Sequence, residues 1–213
     1  ISSILIAPQH HISTTYTPVR RCVGCFEFRL HAKQTMNTEL FQKRETPFYH
    51  YDLNVLTTTL ERIHTATGNI PNCHVHYAVK ACATPAILTT IAQAGLGADC
   101  VSGGEVQAAF NAGFSADKIV FAGVGKSDWE IQLALQIGIA CFNVESLPEL
   151  ENINAIAQQM EKPARVAFRI NPNVDARTHA KITTGLNENK FGLAIEDMLP
   201  TIQYAQTLSN VEY

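Results

Sequence analysis

Apolar and polar residues alternate with a period of two along 74–80. Val75, Tyr77 and Val79 fall on one side, and His76, Ala78 and Lys80 on the other, which predicts a strand with Lys80 as its last residue. From Pro71 onward the pattern switches repeatedly between this period and a helical one. It predicts strands at 74–80, 98–102, 118–123, 140–145 and 165–171, with helices at 85–94, 103–112, 127–137 and 147–160 between them. Three of these helices end in glycine followed by an apolar residue (Gly95-Leu96, Gly113-Phe114, Gly138-Ile139), the pattern of a left-handed helix stop. Upstream, Thr46-Pro47-Phe48-Tyr49-His50-Tyr51-Asp52 reads as a short aromatic strand, and Asp52 is placed to cap a helix over 53–67. A last helix, about 195–208, leads to Val211-Glu212-Tyr213, the opening of a further strand.

Strands alternating with helices at this spacing predict a parallel sheet of right-handed βαβ units. Strand 165–171 sets Val166, Phe168 and Ile170 against Arg165, Ala167, Arg169 and Asn171; strand 140–145 sets Phe142 and Val144 against Cys141, Asn143 and Glu145. An open sheet covered by helices on both sides needs two apolar faces. One bulky apolar face and one small or polar face fit a barrel better. Eight strands need about 250 residues, so five βα strands in 213 residues read as the front part of a longer (β/α)8 barrel protein.

Residues 1–35 lack sustained periodicity and the chain begins at Ile1, whereas regular patterning follows Met36. We expect 1–35 to be a disordered or loosely packed, non-native extension, and 36–213 to be the N-terminal part of the barrel domain. After Asn171-Pro172 comes a stretch of low periodicity to Lys190, of a length that is usually functional or disordered; it holds His179, Lys181, Thr183, Thr184 and Gly185.

Composition narrows the function classes. The chain is 46% hydrophobic and only 16% charged, which suits extensive burial and a large interface. A net charge of −3 offers no basic field for nucleic acid. No run of about 18 apolar residues could span a bilayer, and a cytoplasmic protein is the expectation. Cysteines at 22, 25, 73, 82, 100 and 141 are scattered and read mostly as small hydrophobes. Cys22-Val23-Gly24-Cys25 is a CxxC without the second pair a zinc site needs, so no metal site is predicted.

Projecting the polar faces inward puts Lys80, Asp99, Glu145 and Arg169 near the C-terminal ends of four strands, where barrels place their chemistry. Such a lysine either joins an internal ion-pair cluster or, desolvated beside an aldehyde cofactor, forms a Schiff base. Both fit the placement.

The motifs add a resemblance. His76-Tyr77-Ala78-Val79-Lys80-Ala81 resembles the pyridoxal-phosphate lysine motif of the ornithine/diaminopimelate/arginine decarboxylases, the fold-type-III enzymes. The likeness continues through Gly95-Leu96-Gly97-Ala98-Asp99-Cys100-Val101-Ser102-Gly103-Gly104-Glu105, Lys118 to Lys126, Phe142-Asn143-Val144-Glu145-Ser146 and Phe168-Arg169-Ile170-Asn171-Pro172. Thr178 to Gly185, with Asn189-Lys190-Phe191-Gly192, is similar to the diaminopimelate branch in particular.

The resemblance implies an alanine-racemase-like barrel with pyridoxal 5′-phosphate on Lys80, and Asp99, Glu105 and Arg169 around the lysine and the ring hydroxyl side. It implies decarboxylation of meso-2,6-diaminopimelate to L-lysine by a homodimer. The family usually has asparagine where this chain has Cys82. Its glycine-rich phosphate loop, its Glu-Pro-Gly-Arg and Cys-Glu-Ser segments and its β-domain would lie downstream of Tyr213, so the 213 residues alone are expected to be inactive. Related arginine, ornithine or carboxynorspermidine decarboxylases, and a non-catalytic decarboxylase-like binding protein, are the alternative readings.

Overall fold

The structure, a computed structural model, describes residues 3–6, 45, 47–171 and 191–213. Its strands are β1 (Ser3–Ile6), β2 (His74–Ala78), β3 (Gly97–Cys100), β4 (Ile119–Phe121), β5 (Cys141–Val144), β6 (Ala164–Phe168), β7 (Ile170–Asn171), β8 (Leu193–Ala194) and β9 (Val211–Glu212). Its helices are α1 (Leu53–Thr67), α2 (Pro85–Gln93), α3 (Gly103–Asn111), α4 (Asp128–Ile137), α5 (Leu147–Gln159) and α6 (Ile195–Ala205). The main sheet runs β1-β2-β3-β4-β5-β6-β9, and every neighbouring pair is parallel. From β2 to β9 the spatial order follows the chain order. A doubly wound sheet reverses direction at a switch point; a sheet that keeps advancing one way is a barrel in progress.

The two sheet faces differ as the alternation predicts. Val75, Tyr77, Ala98, Cys100, Ile119, Phe121, Phe142, Val144, Ala164 and Val166 are buried against the helices, which supply Ile87, Leu88, Ile91, Val106, Ile131, Leu150 and Ile153. Across the sheet His76, Asp99, Val120, Cys141 and Asn143 are half-buried, and Arg165 and Ala167 are exposed. The fold is therefore a partial (β/α) barrel whose outer layer is packed and whose concave face is partly open.

Helix starts follow the capping chemistry. Asp52 accepts from the amides of Asn54 and Val55 and opens α1 where predicted. The predicted helix stops are present: Gly95, Gly113 and Gly138 take φ of 79°, 94° and 77°.

Three expectations need correction. Strand β2 ends at Ala78, the last residue in register with β3 (Ala78 opposite Asp99). Lys80 sits instead in a tight 3-10 turn, Val79–Ala81, closed by the Cys82 amide donating to the Val79 carbonyl at 3.1 Å. The strand predicted over 165–171 breaks at Arg169. The Arg169 amide donates to the Val144 carbonyl (2.9 Å) while its carbonyl accepts from Leu193 (2.8 Å), so the chain leaves β5 and pairs as β7 with β8. The aromatic stretch forms no strand over 47–52, because none of the described strands offers it a ladder; Thr46 lies outside the described residues.

Ser3–Ile6 pairs with β2 from Ser3 opposite His74 to Ile6 opposite Tyr77. The rest of 1–35, the CxxC at 22–25 and the polar stretch 172–190 lie outside the described residues.

Candidate active site

The sequence-predicted residues gather at the C-terminal ends of the strands. Lys80 follows β2 directly. It is exposed and makes no hydrogen bond or ion pair among the described residues. Its turn is fixed from below: the buried Tyr77 hydroxyl donates to the Cys82 carbonyl at 3.2 Å, bracketing the three residues that carry the amine. Burial pushes the Tyr77 phenol up to about 12, so it remains a donor throughout the neutral range. Beside the turn, Cys82 Sγ hydrogen-bonds with Thr84 Oγ1 (3.3 Å) and the Tyr51 hydroxyl (3.6 Å).

Asp99, on β3, is the next strand's contribution. Half-burial raises its carboxyl above the usual carboxylate range, against the opposing charges of Lys80, His76 and Arg169. Those three groups thus act on a single carboxylate from the turn after β2, from β2 itself and from the end of β6. His76 is lowered chiefly by burial, and its Nδ1 is buried without a hydrogen-bond partner among the described residues.

Glu105 reaches back to the loop that follows Asp99: its Oε2 accepts from the Val101 amide at 2.8 Å. Arg169 Nη1 lies 3.0 Å from both carboxylate oxygens of Glu145, which is 4% exposed, and the guanidinium stands 5.6 Å from the centre of the Phe191 ring. Glu145 also accepts from the Gly123 amide at 2.8 Å.

A recurrent device builds these loops. Ser102-Gly103-Gly104-Glu105, Ser127-Asp128-Trp129-Glu130 and Ser146-Leu147-Pro148-Glu149 share the S-x-x-E spacing of a capping box, and each serine caps a helix. Each glutamate returns to the loop before it: Glu105 to Val101, Glu130 to the Ser127 amide (2.9 Å) and Glu149 to the Glu145 amide (3.1 Å). Two of them also cross to a neighbour. Glu130 accepts from Gly103 (2.6 Å) and Glu149 from Lys126 Nζ (2.6 Å). Burial opposes the charge on Glu130, but the Gly103 and Ser127 donors outweigh it and hold the carboxyl below the usual range. The sequence reading named Glu105 but missed Glu130 and Glu149, although the thrice-repeated spacing was there to find them, and it missed Lys126.

The residues at the rim fit the aldehyde end of pyridoxal phosphate: an uncommitted primary amine, a neighbouring half-buried carboxylate and an anchored guanidinium. Among the described residues, no group of three or more His, Cys, Asp or Glu side chains could hold a metal ion, and no helix is long and apolar enough to cross a membrane.

Comparison with known proteins agrees with the geometry. Residues 56–213 match the family described as pyridoxal-dependent decarboxylase, pyridoxal binding domain. The diaminopimelate decarboxylase of Bacteroides thetaiotaomicron is 58% identical over 173 residues, covering 81% of this chain and 45% of that protein. That of Neisseria meningitidis serogroup B is 43% identical, covering 86% and 44%.

The crystal structure of Helicobacter pylori diaminopimelate decarboxylase complexed with L-lysine superposes with a TM-score of 0.74 at 43% identity, covering 82% of this chain and 44% of that one. A chlorella-virus arginine decarboxylase bound to agmatine shares the fold (TM-score 0.68) at 22% identity. The chain spans a little under half the length of the curated relatives it matches. It belongs to the pyridoxal-dependent decarboxylase family and carries that family's pyridoxal-binding domain over residues 56–213.

Proposed function

We propose that this chain is the cofactor-anchoring part of an enzyme that converts meso-2,6-diaminopimelate to L-lysine and carbon dioxide, with pyridoxal 5′-phosphate held covalently on Lys80. The carrying observation is the uncommitted Lys80 amine on a fixed turn beside Asp99 at the barrel rim. The substrate assignment is supported by relatives of 58% and 43% identity named diaminopimelate decarboxylase and by the lysine-bound Helicobacter pylori structure. Arginine decarboxylase stands at 22% identity, where only the fold is shared.

When bound, pyridoxal phosphate supplies the electron sink for the pair left by departing carbon dioxide. The chain's own residues do the rest of the work described here. Lys80 provides the attaching amine, and the Tyr77–Cys82 bond fixes the turn from which it projects. Asp99 offers a carboxylate whose raised affinity for a proton suits it to holding one beside that amine. Glu145 fixes one nitrogen of Arg169 and leaves the rest of the guanidinium, with a side chain 47% exposed, for an anionic group at the mouth. Glu105 orders the loop that follows Asp99.

We place the parent enzyme in the cytoplasm as a homodimer. The low charged fraction and the exposed Phe48, Tyr49 and Tyr51 support an interface.

The test is trapped carbon dioxide and lysine from carboxyl-labelled diaminopimelate, using the purified gene product that contains this chain, with arginine and ornithine in parallel. Release from diaminopimelate alone is expected. Release from arginine or ornithine instead, or from none, contradicts the assignment.

A further inference from the structure

Lys126 lies outside the set of residues that would touch cofactor or substrate, yet it is the most thoroughly held cation among the described residues. Its side chain is 1% exposed. The three ammonium protons have three acceptors: the Gly123 carbonyl at 2.7 Å, the Asn143 carbonyl at 3.0 Å and Glu149 Oε1 at 2.6 Å. The Phe121 ring centre lies 5.3 Å away. A buried ion pair is a weak source of net stability, since its desolvation offsets much of its attraction, so its value here is better sought in what it orients.

The contacts lead to the mouth of the site. Glu149 Oε1 takes Lys126, and its Oε2 takes the Glu145 amide at 3.1 Å. The Glu145 carboxylate takes the Gly123 amide at 2.8 Å and Arg169 Nη1 at 3.0 Å. Gly123 is gripped at both ends of its residue, its N–H by Glu145 and its C=O by Lys126, in a φ of 106°. Three successive loops, after β4, β5 and β6, are thereby tied into one unit with Arg169 at its exposed end.

We propose that Lys126 is a positioning residue, which acts through Glu149 and Glu145 to set where the Arg169 guanidinium stands at the mouth of the site. The assignment rests on the functional reading above for what Arg169 is positioned to meet. Its own geometry is testable without turnover, so its failure is distinct from a failure of that reading.

The test follows the Asp99 carboxyl by 13C NMR titration of the purified gene product that contains this chain, with Asp99→Asn to assign the signal and circular dichroism to confirm folding. The charged and titratable groups acting on Asp99 are Lys80, His76 and Arg169. If Lys126 and Glu149 position Arg169, both Lys126→Met and Glu149→Gln displace the guanidinium, and both raise the Asp99 midpoint by a few tenths of a pH unit. Direct long-range charge predicts opposite signs, because one change removes a positive charge and the other a negative one.

In an Arg169→Met background both shifts should vanish. Same-sign shifts that depend on Arg169 support the proposal. Opposite-sign shifts, shifts that persist without Arg169, or none in a folded variant overturn it. Glu149→Gln keeps a side chain able to accept from the Glu145 amide, and Lys126→Arg, which keeps the cation, should restore part of the wild-type midpoint. If Lys126→Met does not fold, these two variants still decide the question.

Discussion

Two lysines stand in the loops at the same end of the sheet, and their surroundings are opposite. Lys126, after β4, has each proton on a protein acceptor and almost no exposure. Lys80, after β2, is exposed and uncommitted, while the turn beneath it is fixed by Tyr77 and by its own backbone. Fixing a side chain's atoms suits orientation of a neighbour; fixing only its backbone leaves a nucleophile in place but free to react. The contrast extends to the loops themselves. Those after β4, β5 and β6 are laced together by Glu145, Glu149, Lys126 and Arg169.

The largest expected effect separates the two lysines by substitution. Lys126→Met leaves the Glu149 carboxylate, 9% exposed, without its cation. It should cost about 3–5 kcal/mol in urea unfolding, the usual result of breaking one side of a buried pair. Lys80→Met should leave stability within about 0.5 kcal/mol, as at other exposed positions. Equal costs would erase the contrast.

The same experiment on the sheet faces should give about 3–5 kcal/mol for Phe121→Ala in the packed outer layer. On the concave face, Ala167→Ser should stay within about 0.5 kcal/mol.

Tyr77→Phe removes the bond to the Cys82 carbonyl and should cost about 1 kcal/mol. If that bond holds the Lys80 turn, amide exchange at Ala81 and Cys82 should quicken; unchanged exchange would show the turn is fixed by its backbone alone.

The smallest effect is a pH dependence. Asp99 has a folded-state affinity for protons above its unfolded value, so the native state holds the extra proton between the two midpoints. Asp99's contribution is therefore most favourable below the unfolded midpoint and is lost as pH rises through the folded one. Asp99→Asn should raise the urea midpoint at neutral pH relative to wild type and lose that advantage near pH 4. An advantage that grows on acidification would reverse the sign assigned to burial.

Much of this was legible from local chemistry. Helix α1 begins and ends where Asp52 and the apolar spacing put it. The alternation around Phe142 and Val144 named the packed face and, by subtraction, the concave one. Asp99, Glu145 and Arg169 lie at or just beyond the C-terminal ends of the strands the alternation predicts, and Lys80 lies in the turn that follows its own strand.

The misses have non-local causes. Alternation continues through Val79 and Lys80, but the ladder to β3 stops at Ala78, and a ladder is a property of two segments. The aromatic run at 47–52 has strand propensity, but none of the described strands includes it. Ile170 keeps the period of β6, yet the Leu193 amide draws the chain away at Arg169. The pairing of Glu145 with Arg169, and of Lys126 with Glu149, joins residues more than twenty positions apart. Spacing within one segment cannot give that.

The central claim is that Lys80 anchors the cofactor, and borohydride trapping followed by peptide mapping tests it most directly. The gene product containing this chain is incubated with pyridoxal phosphate, reduced and digested, and the phosphopyridoxyl label is located by mass spectrometry. We predict one dominant label on Lys80, lost in Lys80→Met and retained in Lys126→Arg. A label that survives Lys80→Met, or that maps to Lys126 or another lysine, would contradict the account.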